Sequence, residues 1–460
     1  MKKIKLISKL DNYINDKKFS IIYKNNNLDI INYTKIVDFS STLISISNQN
    51  NLYIIEGENL VISNMFEEEI LIKLILVLHI IASGSITGFI LKNIYLDIII
   101  IALEMFYLVV YCQCKIINNK MLKLTILFSL LLLIIQMLCH VETIFYVTRF
   151  SVLLVVEVLF ISEVNMRGNI GCLLEKTIRL FVCVALISYV VFQILQGFNG
   201  VGVLQEGMFE GYKNFFFIHY ELPNSNLSVA GINVVRNCGI FWEPGILQIY
   251  CNLGLLLYWI HGKGHLLTVL MYVMCILTTF STTGFAVLFF MGIYMKFIYK
   301  KELKNKMIIV PMAIVIGSIL CIFLLRDKAE NAAASLIYRS SDIGYSLKIF
   351  FRHFFAGTGL NNNKEFEQFY NNIRGNSNGL LMWLYQIGIV GMFFLIILLV
   401  RFYQKSKKVQ KKDAAIVYIM LFIIENLTEP LFTFIFNIMI IATLGVTLEN
   451  NELNLRMNNE

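Results

Sequence analysis

The sequence is short of charge. Asp, Glu, Lys and Arg make up 15% of its 460 residues, and hydrophobic residues make up 57%. Soluble domains carry about a quarter charged residues. One larger core does not absorb the difference, because cores stop growing at about 250–300 residues. The apolar excess therefore calls for lipid. Proline is nearly absent, at four residues, which suits long helices. Cysteine is present, but not where a secreted scaffold needs it. Cys139, Cys183, Cys251, Cys275 and Cys321 fall in apolar runs, where Cys acts as a small hydrophobe, and only Cys238 falls in an expected outer loop. Cys112 and Cys114 are too close together for a structural zinc site. The chain also lacks a phosphate-cradling glycine loop, a zinc signature, a Ser–His–Asp pattern and an Asp-x-Asp for metal-bound nucleotide sugar. The expectation is accordingly no metal, no cofactor and no nucleic-acid partner. Asp11 to Lys18 interrupt any apolar stretch behind the basic leader, so a cleavable signal peptide is not expected, and the first long apolar run serves as an uncleaved anchor.

What is present is a series of apolar runs near the 20 or so residues that a spanning helix needs. They lie at 70–90, 94–113, 121–139, 143–164, 177–197, 245–260, 265–281, 283–299, 307–325, 379–400, 414–426 and 430–447. The reading is an all-α polytopic membrane protein with about twelve transmembrane helices. Its last two runs abut at Pro430 and also fit one broken re-entrant pair. Basic residues near span ends set orientation. With the lysine-rich leader in the cytoplasm, Lys115, Lys120, Arg167, Lys176, Lys263, the cluster from Lys296 to Lys306 and the cluster from Lys405 to Lys412 all fall inside. Both termini are then cytoplasmic in a cell membrane, and two long loops, 198–243 and 326–378, fall outside. The domain reading is a small or flexible cytoplasmic region over 1–66, a transmembrane domain over 67–450 and a tail over 451–460. Within the first region, Leu43 to Ser47 and Asn51 to Ser63 alternate like a strand pair around Glu56-Gly57-Glu58-Asn59, and a flexible tail fits as well.

Ionisable residues inside apolar runs are expensive and therefore informative. His79 and Glu104 lie in the first two runs, and Arg149 and Glu157 share one helix face. An interhelical ion pair or polar glue accounts for His79, Glu104 and Glu157. Arg149, near the outer surface, reads as an anion site. The first outer loop ends Arg236-Asn237-Cys238-Gly239-Ile240-Phe241-Trp242-Glu243-Pro244-Gly245 before an apolar helix. Glu243 fits a helix cap, and equally a partly desolvated proton acceptor. Arg236 suits a phosphate. The hairpin Leu277 to Gly284 carries Ser281, which caps a helix or touches substrate. The second outer loop offers Arg339, Arg352, His353 and Arg374, with no matching surplus of nearby acids, and Gly357-Thr358-Gly359, where glycines permit close backbone approach. It ends at Ser377-Asn378. Tyr212, Phe215, Phe216, Phe217, Tyr220, Phe366, Phe369 and Tyr370 suit sugar stacking or the membrane interface.

Four features in order carry a resemblance. They are Arg-x-x-Gly-x-Phe-x-Glu-Pro (Arg236 to Pro244), Thr-x-Ser-Thr-Thr-Gly (Thr279 to Gly284), Gly-x-Gly (Gly357, Gly359), and Ser377-Asn378 ahead of Gly388-Ile-Val-Gly391. Together they make residues 70–447, most clearly 230–400, resemble the O-antigen polymerase and O-antigen ligase superfamily. The resemblance implies a GT-C-like fold and substrates on undecaprenyl pyrophosphate. It also implies partners such as a flippase and a chain-length regulator, and neither metal nor nucleotide sugar. Ligase-like members often carry His-Asn where this chain has Ser377-Asn378, and an arginine where it has Thr282. Both departures weaken a ligase assignment and lean toward a capsular or exopolysaccharide polymerase, within an expected function of building a surface polysaccharide (capsule, exopolysaccharide or O-antigen). On that reading Arg236 and Glu243 are catalytic, and Arg149, Arg339, Arg352, Arg374, Asn378 and Ser281 bind substrate. The alternatives are a ligase moving finished glycan to an acceptor, or a transporter such as a lipid-linked oligosaccharide flippase.

Overall fold

The computed structural model describes residues 22–24, 27–29, 35–39, 43–47, 51–56, 59–91, 93–111, 120–167, 170–196, 202–204, 209–223, 227–229, 232–260, 265–293, 333–371, 375–408 and 412–429. The expected spans at 307–325 and 430–447 lie outside them. The chain divides into two compact units, Met1–Leu74 and Ile75–Glu460.

The first unit is mostly strand. β1 (Ile22–Lys24) pairs antiparallel with β2 (Asn27–Asp29), and β3 (Lys35–Phe39), β4 (Leu43–Ser47), β5 (Asn51–Glu56) and β6 (Asn59–Asn64) form an antiparallel meander in sequence order. Glu56 pairs with Asn59, so β5 and β6 are antiparallel neighbours in register from Asn51↔Asn64 onward. The expected strand pair is thus the second half of a larger sheet.

The second unit is helical. Among the described residues, five stretches are long and apolar enough to cross a membrane: Ile94–Tyr111, Leu122–Cys139, Val141–Val164, Ile170–Ile194 and Gly379–Gln404. They belong to α3 (Asn93–Tyr111), α4 (Lys120–Cys139), α5 (Ile144–Arg167) with the short 3-10 turn Val141–Thr143 before it, α6 (Ile170–Gln196) and α12 (Gly379–Lys408). α3 shows how such a helix is solvated. Ile98, Ile99, Phe106, Val109 and Val110 are exposed on its outer side, whereas Ile100, Glu104 and Tyr107 are buried. An apolar outer face and a polar inner group are the pattern lipid selects. Four shorter apolar helices, α7 (Pro244–Ile260), α8 (Leu266–Thr279), α9 (Thr282–Ile293) and α13 (Lys412–Thr428), complete the apolar set among the described residues. α7 is buried along nearly its whole length and packs against α6 and α8. The fold is that of a helical protein suited to a membrane.

Two elements differ from expectation. The run 70–90 is not one helix. α1 (Met65–Ala82) stops, Gly84 takes φ +115°, and α2 (Ile86–Ile90) restarts. Ser85 causes the restart, because its Oγ accepts from the Gly88 amide at 2.8 Å. The incoming loop stitches the break, since Ile86 N donates to Ile240 O at 3.0 Å and Trp242 N to Gly84 O at 3.3 Å. The second expected loop, for its part, contains a 20-residue helix, α10 (Ala333–Arg352), followed by the short α11 (Lys364–Gln368). α10 is amphipathic: Asp342, Ser346, Ile349 and Phe350 are buried while Ile337, Ile343 and Phe351 are exposed.

The first expected outer loop folds into short antiparallel strands, β7 (Gly202–Val203), β8 (Lys213–Phe215), β9 (His219–Glu221), β10 (Leu227–Val229) and β11 (Ile232–Val234). His219 is buried against Phe192, and burial pushes its imidazole down to about 4. It is therefore a neutral packing residue at physiological pH.

Candidate functional site

The site grows from the junction of the first loop with α7. The chain enters it pinned to the α8–α9 hairpin. Asn237 N donates to Thr278 O at 2.9 Å, Asn237 Nδ2 to Thr278 Oγ1 at 3.0 Å, and Arg236 Nε to Thr279 O at 3.0 Å. The hairpin turns on Phe280, whose left-handed backbone ends α8. Ser281 Oγ then accepts from Gly284 N and caps α9. Two motifs that the sequence separates by some forty residues are thereby one structural unit. Cys238, between them, is fully buried, and burial pushes its thiol up to about 12, which rules out a resting thiolate.

Carboxylates gather around Arg236. Glu243 precedes Pro244 at the start of α7 and is half-buried. Glu429 directly follows α13, and its carboxylate lies so close over Gly245 that a Cβ there would overlap it. Arg339 Nη2 on α10 approaches Glu429 Oε1 at 3.9 Å. Arg236 feels the charges of Glu243, Glu429 and Arg339 together, and burial pulls its guanidinium down from its ordinary value. Burial and the Glu243 charge push the Glu429 carboxyl well up, against the opposing pull of Arg339 and Arg236. One turn back on α13, Glu425 Oε2 accepts from Gln248 Nε2 at 2.7 Å, and Gln248 Oε1 accepts from Asn252 Nδ2 at 2.8 Å.

The other wall is the start of α12. Gly379 N donates to Glu429 O at 3.2 Å, and Asn378 Oδ1 accepts from Leu381 N at 3.0 Å, capping the helix. Asp342 on α10 organises the approach. It accepts from Tyr370 Oη at 2.7 Å and from both the amide and the hydroxyl of Ser377.

Of the residues expected to act, Arg236, Glu243, Arg339, Ser281 and Asn378 belong to this junction. Ser281 and Asn378 do so as helix caps. Arg149 and Arg352 have carboxylate partners elsewhere: Arg149 Nε donates to Asp97 Oδ2 at 2.6 Å, and Arg352 is ion-paired with Glu365, which His353 Nε2 also approaches at 2.8 Å. Asp97 comes from another helix, and Glu365 from further along the same second loop. Arg374 lies outside the described residues. Among the aromatics, Phe366 and Tyr220 are fully buried and Phe369 stacks on Tyr345 at 4.3 Å, which is core packing, whereas Phe216 and Phe217 stand exposed at the β8–β9 tip. Glu425, Glu429, Gln248 and Asp342 went unpredicted. The available signal was Glu425-Asn-Leu-Thr-Glu429-Pro430, two acids one helical turn apart at the end of an apolar run.

The Arg149–Asp97 pair makes a prediction. Arg149→Ala leaves a carboxylate half-buried without its partner and should cost about 2 kcal/mol. The double variant with Asp97→Ala should recover most of that loss in thermal unfolding. A cost that persists undiminished in the double variant would show that Arg149 acts through something other than Asp97.

Neither a protein-family model nor a curated protein sequence matches the chain.

Proposed function

We propose that this chain polymerises undecaprenyl-pyrophosphate-linked oligosaccharide units, as a metal-independent glycosyltransferase with about twelve spans, a GT-C-like fold and its site on the non-cytoplasmic face. One observation supports this reading above the others: two arginines from remote segments, Arg236 and Arg339, meet carboxylates Glu243 and Glu429 at a helix start. Guanidinium groups grip a diphosphate by paired donors, and the positive end of the α7 dipole favours the same charge. In the proposed step an acceptor hydroxyl attacks the anomeric carbon, and a C–O bond forms as the bond to the pyrophosphate oxygen breaks. The hydroxyl proton passes to a carboxylate, and the leaving diphosphate keeps the electron pair beside the arginines. Two acids sharing one site divide the labour. Glu243 is the proposed acceptor, and Glu429, whose carboxyl burial pushes well up, stands beside it.

The test is reconstitution. Purified protein in proteoliposomes, given lipid-linked repeat units and no metal or nucleotide sugar, should yield a ladder of lengthening glycans on a gel. Single repeats left untouched reject the reading. Attachment of added long glycan to an acceptor, without lengthening, assigns the site to ligation instead.

A further inference from the structure

The intramembrane charges assemble one per helix. His79 stands near the end of α1, Glu104 in the middle of α3 and Glu157 in the middle of α5. His79 Nε2 is 2.9 Å from Glu104 Oε1, and its Nδ1 is 4.0 Å from Glu157 Oε1. Their exposures are 4%, 0% and 1%. About two turns away, on the same α3 and α5, Asp97 and Arg149 form their pair. Among the described residues these two are the other charged groups whose charge is felt beside the trio. Tyr107 follows further along α3 and Glu163 further along α5, and Tyr250 of α7 donates to Ser83 O, one turn beyond His79.

Structural ion pairing explains four of the five groups and fails for the fifth. Arg149 is balanced by Asp97, and Glu104 is held by His79, which it touches. Glu157 is then left over. Neither of its oxygens has a hydrogen-bond partner, and Oε2 of Glu104 has none. Polar glue would place a donor on those atoms. An unbalanced carboxylate inside an apolar bundle costs several kcal/mol, and a proton on Glu157 removes that charge. The three groups are not arranged to hold a metal ion, so the small cation that fits is the proton.

We propose that His79, Glu104 and Glu157 form an intramembrane proton-binding site in which Glu157 holds an exchangeable proton. The His79–Glu104 pair fixes the imidazole, and the partly exposed Asp97–Arg149 pair is the group nearest the surface through which the proton exchanges. Loss of the proton leaves net negative charge between α3 and α5, so the packing of these helices responds to pH. The site is independent of glycosyl transfer, because its helices carry none of Arg236, Glu243, Arg339 or Glu429.

Infrared difference spectroscopy on the full-length protein in vesicles tests it. Wild type minus Glu157→Gln at neutral pH should show the carbonyl band of a neutral carboxyl, and that band should shift in D2O. Glutamine is isosteric with the protonated acid, so the variant keeps the packing. A difference spectrum containing only carboxylate bands overturns the proposal. So does a band unmoved by D2O, or one that vanishes on adding sodium ions. Should the variant fail to assemble, carbodiimide labelling of the wild type, read by peptide mass spectrometry, gives the same answer. An adduct at Glu157 that is lost at alkaline pH is expected, and no adduct, or one indifferent to pH, overturns it.

Discussion

Arg236→Ala is expected to leave the protein folded and to cut polymer formation by about a hundredfold to a thousandfold, the usual loss when a preorganised charge facing a leaving group is removed. The side chain is held, not searching: Nε is committed to Thr279 O, and the neighbouring Asn237 fixes the same hairpin from two atoms. Its positive charge faces Glu243, Glu429 and Arg339 at once. Arg236→Lys keeps the charge but cannot reproduce the planar fork, so an intermediate loss of about tenfold is expected. Arg339→Ala is a less clean probe, because it also strips Glu429 of its partner. The measurement is the initial rate of ladder growth in proteoliposomes, with thermal unfolding recorded on the same preparation. A folded Arg236→Ala protein that makes full-length glycan at the wild-type rate would end the assignment of this junction to diphosphate binding, while leaving the proton site of α1, α3 and α5 untouched.

Legibility in the sequence followed the range of the forces involved. Hydropathy is a local sum, so the membrane class and the helices from α3 to α6 could be read directly, and capping and strand alternation are local too, so Ser281 and the pairing of β5 with β6 were visible. The break at Ser83-Gly84-Ser85 was hidden, because three small residues barely lower the hydropathy of an apolar run, and the loop residues that stabilise it, Ile240 and Trp242, are remote. α10 was hidden for the opposite reason: buried Asp342 and Ser346 make an amphipathic helix look like a polar loop. Charge pairing was the least legible. Arg149 finds its acid 52 residues away and Arg352 finds its acid 13 residues away, so neither pairing showed in the local run of sequence. Arg236 and the hairpin were foreseen as candidates separately; that the backbone of one clamps the other is information only the fold carries.

Gly388→Ala is expected to cost about 4 kcal/mol or more and to abolish most folded yield, although the residue sits inside α12 in an apolar stretch where alanine would ordinarily help. Its backbone, at φ 72° and ψ −158°, is open only to glycine. A Cβ would also stand 2.5 Å from Phe355 O and 2.8 Å from both Gly357 N and Phe354 O, all backbone atoms that cannot turn aside. The kink survives in an apolar setting because the segment after α10 repairs it. Ile389 N donates to Phe354 O at 2.9 Å, Tyr385 O accepts from Thr358 N at 2.8 Å, and Gln386 O accepts from Gly359 N at 3.1 Å. The Gly-x-Gly stretch thus spends its freedom on closeness to a broken helix; Gly357, at φ +70°, would itself collide with the backbone at Gln386 if it carried a side chain. The kink in turn aims the first turns of α12, and with them Asn378 and the Gly379 amide, at Glu429. Gly344→Ala on α10 is the control, since nothing lies within 4 Å of its added methyl, and helix propensity favours it by up to about 1 kcal/mol. Thermal unfolding in matched detergent should separate the two variants widely. Equal melting temperatures would mean that α12 runs straight through Gly388, and the coupling between the second loop and the junction at Glu429 would lose its mechanical basis.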